Sequence, residues 1–228
     1  MKLAFFGGTF DPVHLGHLAI ARAAAEKFDL DVVYFVPADV PPHKRSRSLT
    51  EFQHRFAMLA LATADDQRFV PSLLEADSEQ PNYSIQTIRR LKSALKQSDK
   101  LYFLIGVDAF MEIGIWKQPV ELLSECDFVV ASRPGHSLGE LAKALPEPLR
   151  PSQAALQALE QPQSGSTIKL PTSTIHLLDN VHEHVSSTQI RAAAHKSVED
   201  LSTYVPRLVA EYIRKEHLYL GNDARQEK

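Results

Sequence analysis

Cysteine is nearly missing. Cys126 stands alone in 228 residues, so no intrachain disulfide exists, which fits a reducing compartment. In "SECDFVVAS" no base accompanies this thiol, and it reads as a core residue at a strand edge rather than a nucleophile. An excess of charge of one sign is missing too. Lys and Arg number 25 against 28 Asp and Glu, a net charge of -3, which withdraws the electrostatic case for non-specific binding to nucleic acid or an anionic membrane. No apolar run approaches the roughly 20 residues that cross a bilayer, and the N-terminus lacks the cationic and apolar segments of a signal peptide. Zinc finds no ligand set: H-E-x-x-H is absent, and the His182 and His184 pair of "NVHEHVSS" lacks a defined third ligand. These absences lead to the expectation of a cytoplasmic protein with small-molecule partners, no nucleic acid, no membrane and no bound metal of its own. Homo-oligomer formation is left open.

What is present is ordinary globular composition, 44% hydrophobic and 23% charged. Short apolar runs ("KLAFF", "DVVYFVPA", "KLYFLIGV", "DFVVAS") alternate with helical patterns ("HLAIARAAAEKF", "EFQHRFAMLALATA", "SIQTIRRLKSAL"). Strands of β-branched and aromatic residues separated by helices of this length imply βαβ units. The expected class is α/β, a Rossmann-like, mainly parallel sheet with helices on both faces and a small helical C-terminal element. Ligands of such folds bind beyond the C-terminal ends of the strands. The core is expected over 1–185, with 134–171 as a surface insertion because "PEPLRPSQAALQALEQPQSGS" mixes Pro, Gln and Ser. Residues 186–220 form the C-terminal element, in which Val205, Leu208, Val209, Tyr212 and Ile213 share one helical face. The tail 221–228 is expected to fray.

Chemistry concentrates in "GGTFDPVHLGH", Gly7 to His17. Gly7 and Gly8 end the first strand, where a missing Cβ lets backbone approach a ligand and permits positive φ. Asp11-Pro12 turns the chain into a helix, with His17 in its first turn and His14 just ahead, near the positive end of the helix dipole where an anion fits. Neither the Walker lysine nor Gly-x-Gly-x-x-Gly spacing is present. A plain capping or core role for the two histidines is the alternative. A second helix start, "SSTQIR", offers Ser186 or Ser187 as N-cap, the Thr188 hydroxyl, and Arg191 one turn in. At a third place "LIGVD" ends a strand with Gly106, for close backbone approach, and Asp108, able to accept from ribose hydroxyls.

The opening stretch closely resembles the signature of the nucleotidyltransferase superfamily marked by H-x-G-H. Together with "PADVPPHK", "NYSIQTI", "LIGVD", Trp116, "SRPG", "VSSTQIR" and "VPRLVAEYIRKEHLY", nearly the whole chain is similar to the bacterial nicotinate mononucleotide adenylyltransferases. That resemblance implies transfer of AMP from ATP to nicotinate mononucleotide, giving deamido-NAD and pyrophosphate in NAD biosynthesis. It implies His14 and His17 as catalytic residues. Gly7, Gly8, Thr9, Phe10, Gly106, Asp108, Arg133, Ser186, Ser187, Thr188 and Arg191 would bind ATP, whose Mg²⁺ arrives with the triphosphate. His43, Lys44, Ser84, Thr87 and Trp116 would hold the mononucleotide, Trp116 stacking on the pyridine ring and Thr87 orienting its carboxylate. Two positions depart from the family pattern: Val107 stands within the usual Gly-Ala-Asp, and Ser84 replaces a Thr. Alternative readings are a phosphopantetheine or nicotinamide mononucleotide acceptor, or a non-catalytic nucleotide-binding module.

Overall fold

The structure, a computed structural model, describes residues 1–39, 49–76, 82–132, 137–159, 167–179, 185–196 and 200–220. Among these residues the strands are β1 (Lys2–Gly8), β2 (Val32–Pro37), β3 (Phe69–Pro71), β4 (Lys100–Gly106), β5 (Asp127–Ala131), β6 (Thr167–Lys169) and β7 (Thr174–Leu178). They form one sheet in the order β3-β2-β1-β4-β5-β7-β6. Every adjacent pair is parallel except β6 with β7. The helices are α1 (Leu15–Phe28), α2 (Phe52–Thr63), α3 (Ser84–Ser93), α4 (Val107–Phe110), α5 (Pro119–Glu125), α6 (Leu138–Ala144), α7 (Gln153–Leu159), α8 (Ser187–Lys196) and α9 (Arg207–Lys215).

Both faces of the sheet are covered, which is why its central strands are continuously apolar instead of alternating. Successive side chains still point to opposite faces, and β1 shows it: Ala4 and Phe6 enter one core, Leu3 and Phe5 the other. On the first face Phe35, Leu104 and Val129 pack with Leu18 and Ala21 of α1, Met58 of α2, and the C-terminal helices through Ile190, Val209 and Ile213. The small side chains of Ala21, Ala24 and Ala25, all buried, let α1 lie close on the strands. On the second face Phe103, Ile105 and Phe128 pack with Ile88 of α3, Phe110 of α4, Leu122 of α5 and Leu141 of α6. The chain winds to one side of β1 through β2 and β3 and to the other from β4 onward, so the sheet reverses direction between β1 and β4.

Two expectations need correction. Leu208 is 45% exposed, because Val205, Val209 and Ile213 already form the buried stripe at four-residue spacing and Leu208 stands about 100° around the helix from Val209. Within 134–171 the described residues are not all surface. Leu138, Leu141, Ala142, Leu145 and Ile168 are buried in the second core. The prolines obscured a start signal, S-x-x-E in "SLGE": the Ser137 hydroxyl accepts from the Glu140 amide at 3.2 Å, while the Ser137 amide donates to the Glu140 carboxylate at 3.1 Å. Cys126 is buried as expected, and burial pushes its thiol pKa up.

Candidate active site

At the C-terminal end of β1 the chain leaves the sheet through Thr9-Phe10-Asp11-Pro12. Neighbouring rings crowd Gly7 and Gly8 here. A Cβ on Gly7 would lie 2.8 Å from the Phe5 ring, and one on Gly8 3.1 Å from the Phe10 ring. The left-handed residue of the turn is Phe10, with φ 46°, a conformation uncommon for a non-glycine. Its ring is fully enclosed, 5.5 Å from Phe6, 5.8 Å from Phe35 and 5.0 Å from His17 between centroids.

His14 is the N-cap of α1 and His17 its third residue, and the two cap each other. The His14 amide donates to His17 Nδ1 at 3.2 Å and the His17 amide to His14 Nδ1 at 3.3 Å. The rings stack with centroids 3.6 Å apart. A ring that accepts at Nδ1 is neutral and carries its proton on Nε2. Burial supports that state for His14, lowering its pKa to about 4. The capping reading and the chemical reading of this pair therefore coincide: one nitrogen of each ring shapes the helix, and the other is an N–H donor. Helix amides contribute less than the dipole argument expects. The Leu15 amide is engaged by the Tyr204 carbonyl at 2.9 Å, and the His17 amide by His14.

The second arm, α8, is fastened to the first. Ser186 is its N-cap, exchanging hydrogen bonds with Gln189: the Gln189 amide donates to Ser186 Oγ at 3.3 Å and the Ser186 amide to Gln189 Oε1 at 3.0 Å. Ser187 Oγ donates to the Pro12 carbonyl at 2.9 Å, and Arg191 donates to the Asp11 carbonyl at 2.5 Å and to Thr188 Oγ1 at 3.1 Å. Between the arms lies a cleft of about 260 Å³ whose wall includes Phe6, Gly7, His14, His17, Gly106, Asp108, Ser186 and Ser187.

A second cleft, of about 230 Å³, opens on the other side of the sheet edge. Phe5, Phe103 and Ile105 from the strands, Ser84 from α3, and Trp116 line it, together with Glu75 and Lys117. Trp116 packs against Phe103 at 6.3 Å between ring centroids. Lys117 Nζ stands 4.1 Å from the Tyr83 ring centroid. Tyr83 begins α3 as its N-cap without a side-chain capping bond, leaving the Ser84 and Ile85 amides as first-turn donors at the cleft wall. Gly7 and Gly106 belong to the walls of both clefts, which meet over them at the point where the sheet reverses. A Cβ on Gly106 would project into open space. Ligands in open α/β sheets bind at such reversals.

Residues 5–193 match the family model described as cytidylyltransferase-like. Two curated relatives named "Probable nicotinate-nucleotide adenylyltransferase", from Solibacter usitatus and Desulfotalea psychrophila, are each 37% identical over 220 residues, 96% of this chain and 100% and 99% of theirs. The chain belongs to the cytidylyltransferase-like family, among its nicotinate-nucleotide adenylyltransferases. Among solved structures, Plasmodium falciparum nicotinic acid mononucleotide adenylyltransferase complexed with NaAD superposes with a TM-score of 0.69 over 96% of this chain and 97% of that one. At 19% identity that likeness speaks to the fold.

For this adenylyltransferase family member, the structure gathers most of the sequence-predicted residues on the two clefts. His14, His17, Gly7, Gly106, Asp108, Ser186 and Ser187 line one; Ser84 and Trp116 line the other, where Gly8 and Thr9, expected at ATP, also lie because the chain leaves β1 toward that side. Thr188 is exposed and accepts from Arg191, which is partly buried and donates also to the Asp11 carbonyl, and Phe10 is enclosed in the core. Thr87 is a correction. It is 2% exposed and its hydroxyl donates to Glu75 at 2.5 Å, because it lies a full turn beyond the helix start and faces inward beside Ile88. His43, Lys44, Arg133 and the His182 and His184 pair lie outside the described residues. Among the described residues no group of three His, Cys, Asp or Glu side chains is placed to hold a metal ion, and no helix is long and apolar enough to cross a membrane. Sequence reasoning missed three residues. Lys117 was signalled only by adjacency to Trp116, while Glu75 and Arg55 sit in runs that read as ordinary strand and helix.

Proposed function

We propose that this protein transfers the AMP portion of ATP to nicotinate mononucleotide, releasing pyrophosphate and forming deamido-NAD. The observation that carries this reading is the meeting of two differently built clefts over Gly7 and Gly106, with paired imidazole N–H donors on one side and a tryptophan with helix-start amides on the other. ATP occupies the first cleft. His14 and His17 donate from Nε2 to the α-phosphate and the departing pyrophosphate, Asp108 accepts from the ribose, and the start of α8 with Arg191 steadies the outer phosphates. The mononucleotide occupies the second. Its pyridine ring stacks on Trp116, and its carboxylate takes the Ser84 and Ile85 amides with Lys117 nearby, Thr87 acting on this helix start only through Glu75. The family resemblance assigns the mononucleotide phosphate to His43 and Lys44 and adenine to Arg133, all outside the described residues.

The acceptor phosphate is already an ionised nucleophile, so no general base is needed, and the protein contributes positioning and charge stabilisation. It attacks the α-phosphorus; that bond forms as the bond to the bridging oxygen of pyrophosphate breaks. Neutral N–H donors suit this step because they strengthen as charge develops on oxygen. Mg²⁺ fits the first cleft as a companion of the triphosphate. Asp108 is the one carboxylate in the described wall, too few for a protein cage but compatible with an ion that keeps its waters; when bound it neutralises phosphate charge. The single buried cysteine suits a cytoplasmic site of action.

Pyrophosphate release from ATP and Mg²⁺ tests the proposal, with nicotinate mononucleotide, nicotinamide mononucleotide and phosphopantetheine offered in parallel. Release is expected with the nicotinate nucleotide well above the others. A preference for phosphopantetheine would overturn the acceptor, and ATP binding without release with any of the three would replace the enzyme by a binding module.

A further inference from the structure

The turn that carries the two imidazoles is held from the far end of the chain. Ser187 donates to the Pro12 carbonyl at 2.9 Å, Arg191 to the Asp11 carbonyl at 2.5 Å, and the Leu15 amide to the Tyr204 carbonyl at 2.9 Å. Those bonds engage backbone. The Asp11 side chain is met by the Tyr219 hydroxyl, which donates to Oδ1 at 2.7 Å, and by the Thr50 amide, which donates to Oδ2 at 3.4 Å. Asp11 is 3% exposed, and a carboxylate taken out of water is costly unless donors meet it. From the other side Arg55, 1% exposed, donates to the Thr9 carbonyl at 2.9 Å and to the Thr50 and Ala38 carbonyls at 2.8 Å, with its charge near Asp11.

Tyr219 reaches Asp11 along an unusual backbone. α9 closes in a Schellman cap, in which the His217 amide donates to the Arg214 carbonyl at 3.3 Å and the Leu218 amide to the Ile213 carbonyl at 3.0 Å. That cap accounts for His217 at φ 51°. It does not account for Tyr219 at φ 64°, a left-handed conformation that a bulky residue keeps only where its surroundings impose it. Here they are the packing of its ring on the first core and the bond to Asp11. Burial, together with the Asp11 charge, pushes the phenol pKa up, so the hydroxyl keeps its proton and donates. α9 has other anchors: Val209 and Ile213 are buried, and the Tyr212 hydroxyl lies 2.9 Å from His54 Nδ1 on α2.

We propose that Tyr219 is a positioning residue for the imidazole pair: its hydroxyl, by fixing the Asp11 carboxylate, sets the turn from which His14 and His17 present their Nε2 protons to the nucleotide cleft. Asp11 stands three residues before His14, and the ring of Pro12 leaves that span little freedom, so a displaced Asp11 moves the start of α1. Tyr219 lines neither cleft and acts only through Asp11. The consequence for the reaction rests on the first cleft being the ATP site.

The experiment uses the full chain, wild type and Tyr219→Phe, which keeps the ring and loses the donor. Ring ¹⁵N resonances of His14 and His17, which report tautomer and hydrogen bonding, are followed beside pyrophosphate release and melting temperature. In the variant the ring resonances are expected to shift and kcat to fall about 10-fold, as for a slightly misplaced group, while KM for the mononucleotide stays unchanged. Asp11→Asn turns a charge-assisted bond into a neutral one, so in that background Tyr219→Phe should cost less than in the wild type. Should Tyr219→Phe fail to fold, Asp11→Asn alone carries the test, with a smaller change in the same direction; its failure to move either kcat or the rings overturns the proposal. So does a folded Tyr219→Phe that keeps wild-type kcat and ring resonances while its melting temperature drops, since Tyr219 would then be structural alone. An equal fold-loss in both backgrounds overturns it too, because the effect would not pass through Asp11. Wild-type protein that releases no pyrophosphate, while Tyr219→Phe still displaces the ring resonances, would instead sink the proposed reaction and leave Tyr219 in its role.

Discussion

The two clefts share a floor and are built on opposite principles. The nucleotide side is made of directed donors: two mutually capped imidazoles, a capped α8, and a turn braced by Ser187, Arg191 and Arg55. The acceptor side is built around surface, with Phe5, Phe103, Ile105 and Trp116 forming an apolar wall and polar groups such as Glu75, Ser84 and Lys117 set about it. The difference matches what each side must do. In the proposed reaction charge moves on the nucleotide side, and fixed donors stabilise moving charge; on the acceptor side a flat ring would have to be recognised and held still, which area and stacking accomplish.

Mutations should therefore act on different kinetic constants. His17→Ala removes an N–H donor and one half of the reciprocal cap. We expect kcat to fall on the order of 10²-fold or more, with a stability loss of about 1 kcal/mol from the cap, read by pyrophosphate release and urea unfolding. Little change in kcat would erase the distinction between the clefts, leaving His17 a capping residue only. Trp116→Ala removes stacking area and no directed donor. The expectation is a rise of about 10-fold in KM for the mononucleotide, in line with the loss of one aromatic stack and its buried area, and an unchanged KM for ATP. A variant whose ATP affinity suffers equally would place Trp116 in the core of the fold rather than at the ring.

The same contrast governs what could be read from the sequence. The nucleotide side lies within two short segments, Gly7 to His17 and Ser186 to Arg191, where cap spacing and a strand-to-helix turn can be recognised without a structure. The alternation of strands and helices made the parallel sheet legible for the same reason, since its pattern is local. The acceptor side is assembled from Phe5, Glu75, Ser84, Phe103, Trp116 and Lys117, brought from separate elements by the reversal between β1 and β4. Thr87 and Glu75 show the limit. Whether a threonine hydroxyl faces a ligand or a buried carboxyl depends on where β3 ends relative to α3, and no spacing within "NYSIQTI" contains that information. Arg55 was hidden differently, since an arginine in a helical run reads as solvated until its three carbonyl partners are known.

The remaining expected effect is on stability alone and probes how each cleft responds to acid. His14, lowered to about 4 by burial, binds its proton more weakly folded than unfolded, so its contribution to stability is complete above about pH 6.5 and is lost as pH falls toward 4. Glu75 runs the other way. Burial raises its carboxyl pKa to about 6, against the lowering influence of the Thr87 hydrogen bond and Arg90. The folded protein therefore holds that proton more tightly than the unfolded chain. Its stabilising contribution is present below about pH 4.5 and disappears as pH rises through 6. Each tenfold difference in proton affinity between the folded and unfolded states is worth about 1.4 kcal/mol, so the ionised carboxylate weakens the fold by about 2 kcal/mol at pH 8. Glu75→Gln keeps an oxygen for Thr87 and removes the ionisation, so the variant should gain up to about 2 kcal/mol over wild type at pH 8 and nothing at pH 4.5, measured by urea unfolding at the two values. A difference independent of pH would mean that Glu75 does not ionise in this window. The apolar wall would then tolerate its carboxyl through hydrogen bonding alone, and the acceptor cleft would contain no charge of its own beyond Lys117 and Glu112 among the described lining residues.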